Sequence, residues 1–366
     1  MTITTLATYE HNNKLLIELK GPARTGVYSP ADAADLVIIA PHGGDCDDDE
    51  GCDFIPDRSR TGPYCPDGCT TAADSYTREI SELLQAKILA NYCKVPFVVI
   101  NHLHRIKLDA NREISEAAQG NAIAEEAWFQ FHNLTNYAQQ QLRTQFGTSD
   151  VISPIGDTYR GVHSLLIDMH GYSGNDWEPT DGAPWIQWGY RLSDDYSLNP
   201  DEFCPLDDRS EYTAGTWTHA RWMPGRSYEC LVRGPGSLAS RVASHIDARG
   251  GLPGQLAQCG HGIPSYEYES PWALANDPEY CNKYDQGNGE CRYYAGGFDI
   301  DVHERMNWTS VGILPDSSEL LGDHMNTVQV ELPRCIRSSD DTIREEFADI
   351  LSVAVYSFLR DLYGPI

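Results

Sequence analysis

The sequence predicts an α/β protein built on a mainly parallel sheet flanked by helices. Three observations point there. Short apolar runs recur at Leu36-Val37-Ile38-Ile39, at Pro96-Phe97-Val98-Val99-Ile100 and at Ser164-Leu165-Leu166-Ile167-Asp168-Met169. They lack the polar alternation of a half-solvated strand, as strands buried on both faces require. Between the first two, Ile80, Leu83, Leu84, Ile88 and Leu89 recur at helical spacing, which makes a strand–helix–strand unit of the kind a parallel sheet needs. Finally, each run stops at residues of catalytic type, and in open α/β sheets ligands bind outside the carboxyl ends of the strands.

Taken in order, residues 1–35 offer one apolar run, Lys14–Leu19, read as an edge strand. The run at 36–39 leads into Ala40-Pro41-His42-Gly43-Gly44-Asp45, whose two glycines leave the loop free to bend sharply. An acidic segment, Asp45 to Asp53, lies between Cys46 and Cys52. It lacks the ligand order of an EF-hand, so calcium there is a secondary expectation. Residues 54–73 read as loop. A helix over 74–91 precedes the strand 96–100, which ends at Asn101-His102-Leu103-His104 and runs into Arg105, Asp109, Asn111 and Arg112.

A helix is expected over about 122–146, and the strand 164–169 ends on His170-Gly171. Residues 174–230 read as long loops and short strands, 237–247 as a helix, and 264–307 as an irregular insert rich in Cys and Tyr. A last strand, Asn326–Leu332, precedes a closing helix over about 340–362. Ser338 and Ser339 offer its N-cap, and Ile343, Phe347, Ile350, Leu351, Ala354 and Phe358 form its buried stripe. No repeat or linker interrupts this order, so one domain spanning 1–366 is expected, with cysteine-rich inserts at about 46–69 and 259–291.

A hydrophobic content of 41% supports a sizeable core, and a formal charge of −27 disfavours nucleic acid and anionic membranes as partners. No apolar stretch approaches the ~20 residues of a membrane span. Most of the eleven cysteines lie in polar loops rich in Gly and Pro, where they read as disulfides. The odd total leaves at least one unpaired, and Cys93 is the candidate. No signal peptide is visible at the N-terminus. The cysteines, with sequons at Asn133 and Asn307, favour a secreted chain whose leader is absent from this numbering.

His42 and Asp45 are candidate metal ligands, since imidazole and carboxylate both suit zinc, although a histidine capping a turn fits the tetrapeptide too. Adding His170 gives two histidines and one carboxylate, a set that leaves a fourth zinc position open for water. Such a water is acidified and an opposing carbonyl polarised. Glu331, inside Val328-Gln329-Val330-Glu331-Leu332, is placed to carry the proton to a leaving amine, or else forms a structural ion pair. Arg112 offers a fork for a substrate carboxylate with Asn111 as second donor, or else a salt bridge to Asp109 or Glu113.

These residues also carry a family likeness. Pro41-His42-Gly43-Gly44, Arg105 with Asp109, Asn111 and Arg112, Ile167-Asp168-Met169-His170-Gly171, Gly262-Ile263-Pro264-Ser265, Tyr294-Ala295-Gly296-Gly297 and Val328–Glu331 occur in order between about 36 and 332. Together they resemble the signature of the N-formylglutamate amidohydrolases, a family similar in fold to the zinc carboxypeptidases. The resemblance implies a carboxypeptidase-like, mixed but mainly parallel sheet. It implies zinc on His42, Asp45 and His170, Glu331 as general base, and Asn111 with Arg112 on a carboxylate. An arginine that polarises the scissile carbonyl is also implied, with Arg105, Arg160, Arg221 and Arg226 as candidates. The expected function is a secreted zinc amidohydrolase cutting an amide next to a free carboxylate, in an N-acyl amino acid such as N-formylglutamate or at a peptide C-terminus. The alternative is a non-catalytic acidic binding protein on the same fold, for calcium or a protein partner.

Overall fold

The computed structural model describes residues 1–66, 68–152, 158–172, 186–189, 238–248, 303, 323–334, 336–337 and 340–363. Its strands are β1 (Thr2–His11), β2 (Lys14–Arg24), β3 (Val27–Tyr28), β4 (Ala33–Ala40), β5 (Val95–Asn101), β6 (Thr148–Ile152), β7 (Thr158–Gly171), β8 (Gln187–Gly189) and β9 (Asp323–Leu332). The α-helices are α1 (Thr77–Tyr92), α2 (Ile114–Ala118), α3 (Ala122–Phe146), α4 (Leu238–Ala248) and α5 (Asp341–Tyr363). Among the described residues the strands form one sheet in the order β1-β2-β5-β4-β7-β9-β8, with β3 beside β2 and β6 beside β7.

The four middle strands, β5, β4, β7 and β9, run parallel, and antiparallel strands close the sheet on both sides. β4 is buried along its whole length, and its alternate residues face different layers. Leu36 and Ile38 pack with Ile80, Leu84 and Ile88 of α1, Val242 of α4, and Phe347, Leu351 and Phe358 of α5. Val37 and Ile39 pack on the opposite face with Trp128, Phe131 and Leu142 of α3. Each such side chain, fully buried, contributes on the order of 1.5–3 kcal/mol. The parallel strands are therefore covered on both faces, and their carboxyl ends are left to build a site.

Lys14–Leu19 is not an edge. It lies in β2, paired on one side with β5 and on the other with β1, which forms the border of the sheet. β1 shows exposed residues interspersed with half-buried ones, so it carries no apolar run, and its Thr and Tyr content suits a half-solvated strand. The helix ends also differ in detail. Asn121 caps α3, its side-chain oxygen accepting from the N–H groups of Ile123 (3.1 Å) and Ala124 (3.0 Å). Asp340 serves α5 in the same way, accepting from Thr342 N–H at 2.9 Å, while Ser338 and Ser339 lie outside the described residues.

Two disulfides, Cys46–Cys52 and Cys65–Cys69, brace the loop between β4 and α1. Cys93, exposed at the left-handed C-cap of α1, carries none. The insert at 259–291, Gly262–Ser265, Tyr294–Gly297, Arg221, Arg226 and the sequon at Asn307 lie outside the described residues. Among the described residues no helix is long and apolar enough to cross a membrane.

Candidate metal centre

His42 stands two residues past the end of β4, and the chain there packs backbone against backbone. A Cβ on Gly44 would come within 2.2 Å of the His102 carbonyl carbon, and one on Gly43 within 2.6 Å of the Arg78 amide nitrogen. Neither glycine has a positive φ. The pair is needed for close approach rather than for a left-handed turn, because the β4 loop runs alongside the segment leaving β5. Cys46 N–H donates to His102 O, and His104 N–H to Cys46 O, both at 3.1 Å.

His170 ends β7, and parallel pairing sets it opposite Glu331 of β9. The two imidazoles meet edge-on across the strand ends, with Nδ1 to Nδ1 at 3.1 Å. The third member is Asp74, whose Oδ2 lies 3.2 Å from His42 Nδ1 and 3.0 Å from His170 Nδ1. Asp74 stands just before α1, its backbone N–H donating to the His42 carbonyl at 3.1 Å. All three residues are buried, and together they form a group that can hold a metal ion. Tetrahedral zinc with bonds of ~2.0–2.1 Å sets its ligand atoms roughly 3.3 Å apart, which this triangle nearly matches.

The far sides of both rings fit the same use. His42 Nε2 donates to Asp109 Oδ1 at 2.6 Å, and a carboxylate in that position fixes the tautomer that leaves the Nδ1 lone pair facing inward. His170 Nε2 lies 2.9 Å from Asp168 Oδ1, a charge contact rather than an aligned hydrogen bond, and 3.0 Å from the Asn111 side-chain amide. Burial alone would raise the Asp74 carboxyl, but the two histidines overcome it and hold the group well below the usual carboxylate range. Burial would likewise depress His170. The Asp168, Asp74 and Glu331 carboxylates instead push it well above the usual histidine range. The pocket therefore carries a strong demand for positive charge.

Asp45, the carboxylate expected beside His42, points elsewhere. Its side chain is 70% exposed and pairs with Arg78. The carboxylate that faces the two imidazoles comes instead from the entrance of α1. The signal for Asp74 was an acidic residue opening the first helix after the His42 strand. A helix-start reading absorbs such a residue without trace.

The remaining expected site residues gather around this core. Arg105 is buried, its Nε donating to Asp109 Oδ2 at 2.8 Å and its Nη1 3.9 Å from Asp74 Oδ1. Asn111, buried, touches His170. Arg112 is 38% exposed, with Nη1 bonded to the Asn111 carbonyl at 2.7 Å and Nε near Glu116. Trp128 of α3 donates to the Arg112 carbonyl at 2.9 Å and pins that loop. Glu331 accepts from Gln329 Nε2 at 2.9 Å. Arg160 lies in β7, toward the end opposite His170.

The acidic loop expected as a calcium site holds a cation of its own. The buried Lys107 ammonium donates to Ile55 O (2.7 Å) and pairs with Asp48 and with Asp57 (2.7 Å). Asp47 accepts from the N–H groups of Asp49 and Glu50, closing a turn.

No family model matches the chain, and no curated protein matches it. Among solved structures, the chain is similar to the crystal structure of gene product Atu2144 from Agrobacterium tumefaciens. That match has 9% identity and a TM-score of 0.37, and covers 93% of this chain and 95% of the other.

Proposed function

We propose that this chain is a zinc-dependent amidohydrolase of carboxypeptidase-like architecture. It would be secreted, and would act on an amide next to a free carboxylate in an N-acyl amino acid or peptide C-terminus. The observation that carries the reading is the inward-facing triangle of His42 Nδ1, His170 Nδ1 and Asp74 Oδ2, backed by Asp109 and Asp168. A zinc ion held there would acidify a water and polarise a carbonyl oxygen. The chain's own residues take the other parts. Glu331, set beside His170 by strand register, receives a proton and returns it to the departing amine. Arg112, braced by Asn111 and half open to solvent, presents a fork to the substrate carboxylate. Arg105 holds Asp109 and keeps positive charge beside Glu331. Two disulfides in the rim loop fit a chain working outside a reducing compartment.

Metal content and turnover test this together. Purified protein should hold one zinc per chain and hydrolyse a member of a panel of N-formyl, N-acetyl and dipeptide substrates, and a chelator should abolish that activity. Glu331→Gln should lower turnover by about 10²–10⁴-fold with zinc retained. Asp74→Asn should empty the site, while Asp45→Asn should leave it filled. A protein without stoichiometric zinc, or a Glu331→Gln variant as active as its parent, overturns the proposal.

A further inference from the structure

The loop between β4 and α1 does more than end at Asp74. From its middle it sends Arg58 into the interior, where the residue is 4% exposed. Arg58 Nη1 donates to the carbonyls of Arg105 (2.9 Å) and Thr70 (3.3 Å), and Nε donates to Glu116 O (3.2 Å). Nη1 also lies 3.6 Å from Asp109 Oδ2, the oxygen that receives Arg105 Nε at 2.8 Å. Nη2 is buried without a hydrogen-bond partner among the described residues. An orphaned donor on a buried guanidinium is costly where the group serves packing alone. Three carbonyls fix where the guanidinium sits, and that position also brings its charge to Asp109.

Asp109 has two oxygens with separate duties. Oδ2 faces two guanidinium groups, and Oδ1 faces His42 Nε2 at 2.6 Å. With the cations holding one oxygen, the carboxylate cannot rotate away from the imidazole. His42 then keeps its proton on Nε2 and its lone pair on Nδ1, the form a metal ligand needs. We propose that Arg58 is a positioning residue for the metal centre, acting through Asp109 on His42, so that the disulfide-braced insert sets how tightly the ion is held. The inference rests on the metal reading above.

A double-mutant cycle tests it, with zinc affinity measured by competition against a chelator of known affinity. Arg58→Met and Asp109→Asn should each weaken zinc by about 10–100-fold, and the double variant should be no weaker than Asp109→Asn alone. Losses that multiply, or an Arg58→Met protein that binds zinc like its parent, overturn the proposal. Where Arg58→Met does not fold, Arg58→Gln keeps an amide donor for the surrounding carbonyls but removes the charge. Nitrogen-resolved NMR of the metal-free protein should then show the His42 proton balance moving from Nε2, which faces Asp109, toward Nδ1, which faces Asp74, relative to the parent, whereas an unchanged balance overturns the role. The tautomer readout needs no metal. A wild-type chain that binds no zinc would therefore sink the metal reading while leaving the Arg58–Asp109–His42 coupling to be judged separately.

Discussion

Asp35 shows how a single buried carboxylate records pH in the stability of this fold. It lies in β4 at 1% exposure, at the end of the strand away from His42, with Oδ1 unbonded. Burial raises its pKa to about 7, with a backbone hydrogen bond and the Lys94 charge offsetting only part of that effect. The folded chain therefore holds a proton that the unfolded chain releases near its ordinary pKa of 3.8. Stability falls as pH rises between these two values, and above the higher one the penalty is complete. Each pKa unit is worth ~1.4 kcal/mol, so the total is on the order of a few kcal/mol. Asn matches the protonated acid in shape. Asp35→Asn should therefore melt higher than the parent at pH 8, with the gap closing toward pH 4. Equal gaps at both pH values in thermal melts would refute the assignment.

At the scale of elements, the loop from Asp45 to Asp57 is organised by Lys107, whose ammonium sits where a bound cation would otherwise be needed. Lys107→Met would leave Asp48 and Asp57 facing each other and the Ile55 carbonyl without its donor. Both acids are half exposed, at 62% and 50%, so solvent softens the repulsion. Hydrogen bonds to charged groups contribute about 1.5–3 kcal/mol each when buried, and a discounted loss of about 2 kcal/mol follows. Millimolar calcium should raise the melting temperature of the variant and leave the parent unmoved. A parent that itself responds would show that Lys107 does not fill the loop. Apolar runs exposed β4, β5 and β7 because each is covered on both faces, and β9 showed through the alternation of Val328, Val330 and Leu332. β1 stayed hidden because one of its faces is wet and its apolar content is low. Lys107 stayed hidden too, since nothing local marks a lysine that folds back across the chain onto residues at 48, 55 and 57.

For the whole molecule, the residues of the candidate site that the sequence pointed to lie at or just after strand ends: His42, His170 and Glu331, with Arg105, Asn111 and Arg112 in the segment after β5. Asp74 and Arg58 were not legible, because they reach the centre from a loop whose path depends on two disulfides and on backbone packing at Gly43 and Gly44. The same geometry has a thermodynamic consequence. The three inward atoms come from the end of β4, the entrance of α1 and the end of β7, with support from Asp109 in the segment after β5. An ion held among them stabilises the folded chain only, by RT ln(1 + [L]/Kd), or about 4 kcal/mol at a thousandfold excess over Kd. A domain of 150–250 residues shifts by about 2–4 °C per kcal/mol, and a longer chain by somewhat less. Excess zinc over a chelated control should therefore raise the melting temperature by roughly 5–10 °C. Asp74→Asn should melt at one temperature in both buffers, because two imidazoles alone bind too weakly to be populated. An equal zinc shift in parent and Asp74→Asn would place the ion elsewhere, since unfolding must release it from whichever residues hold it.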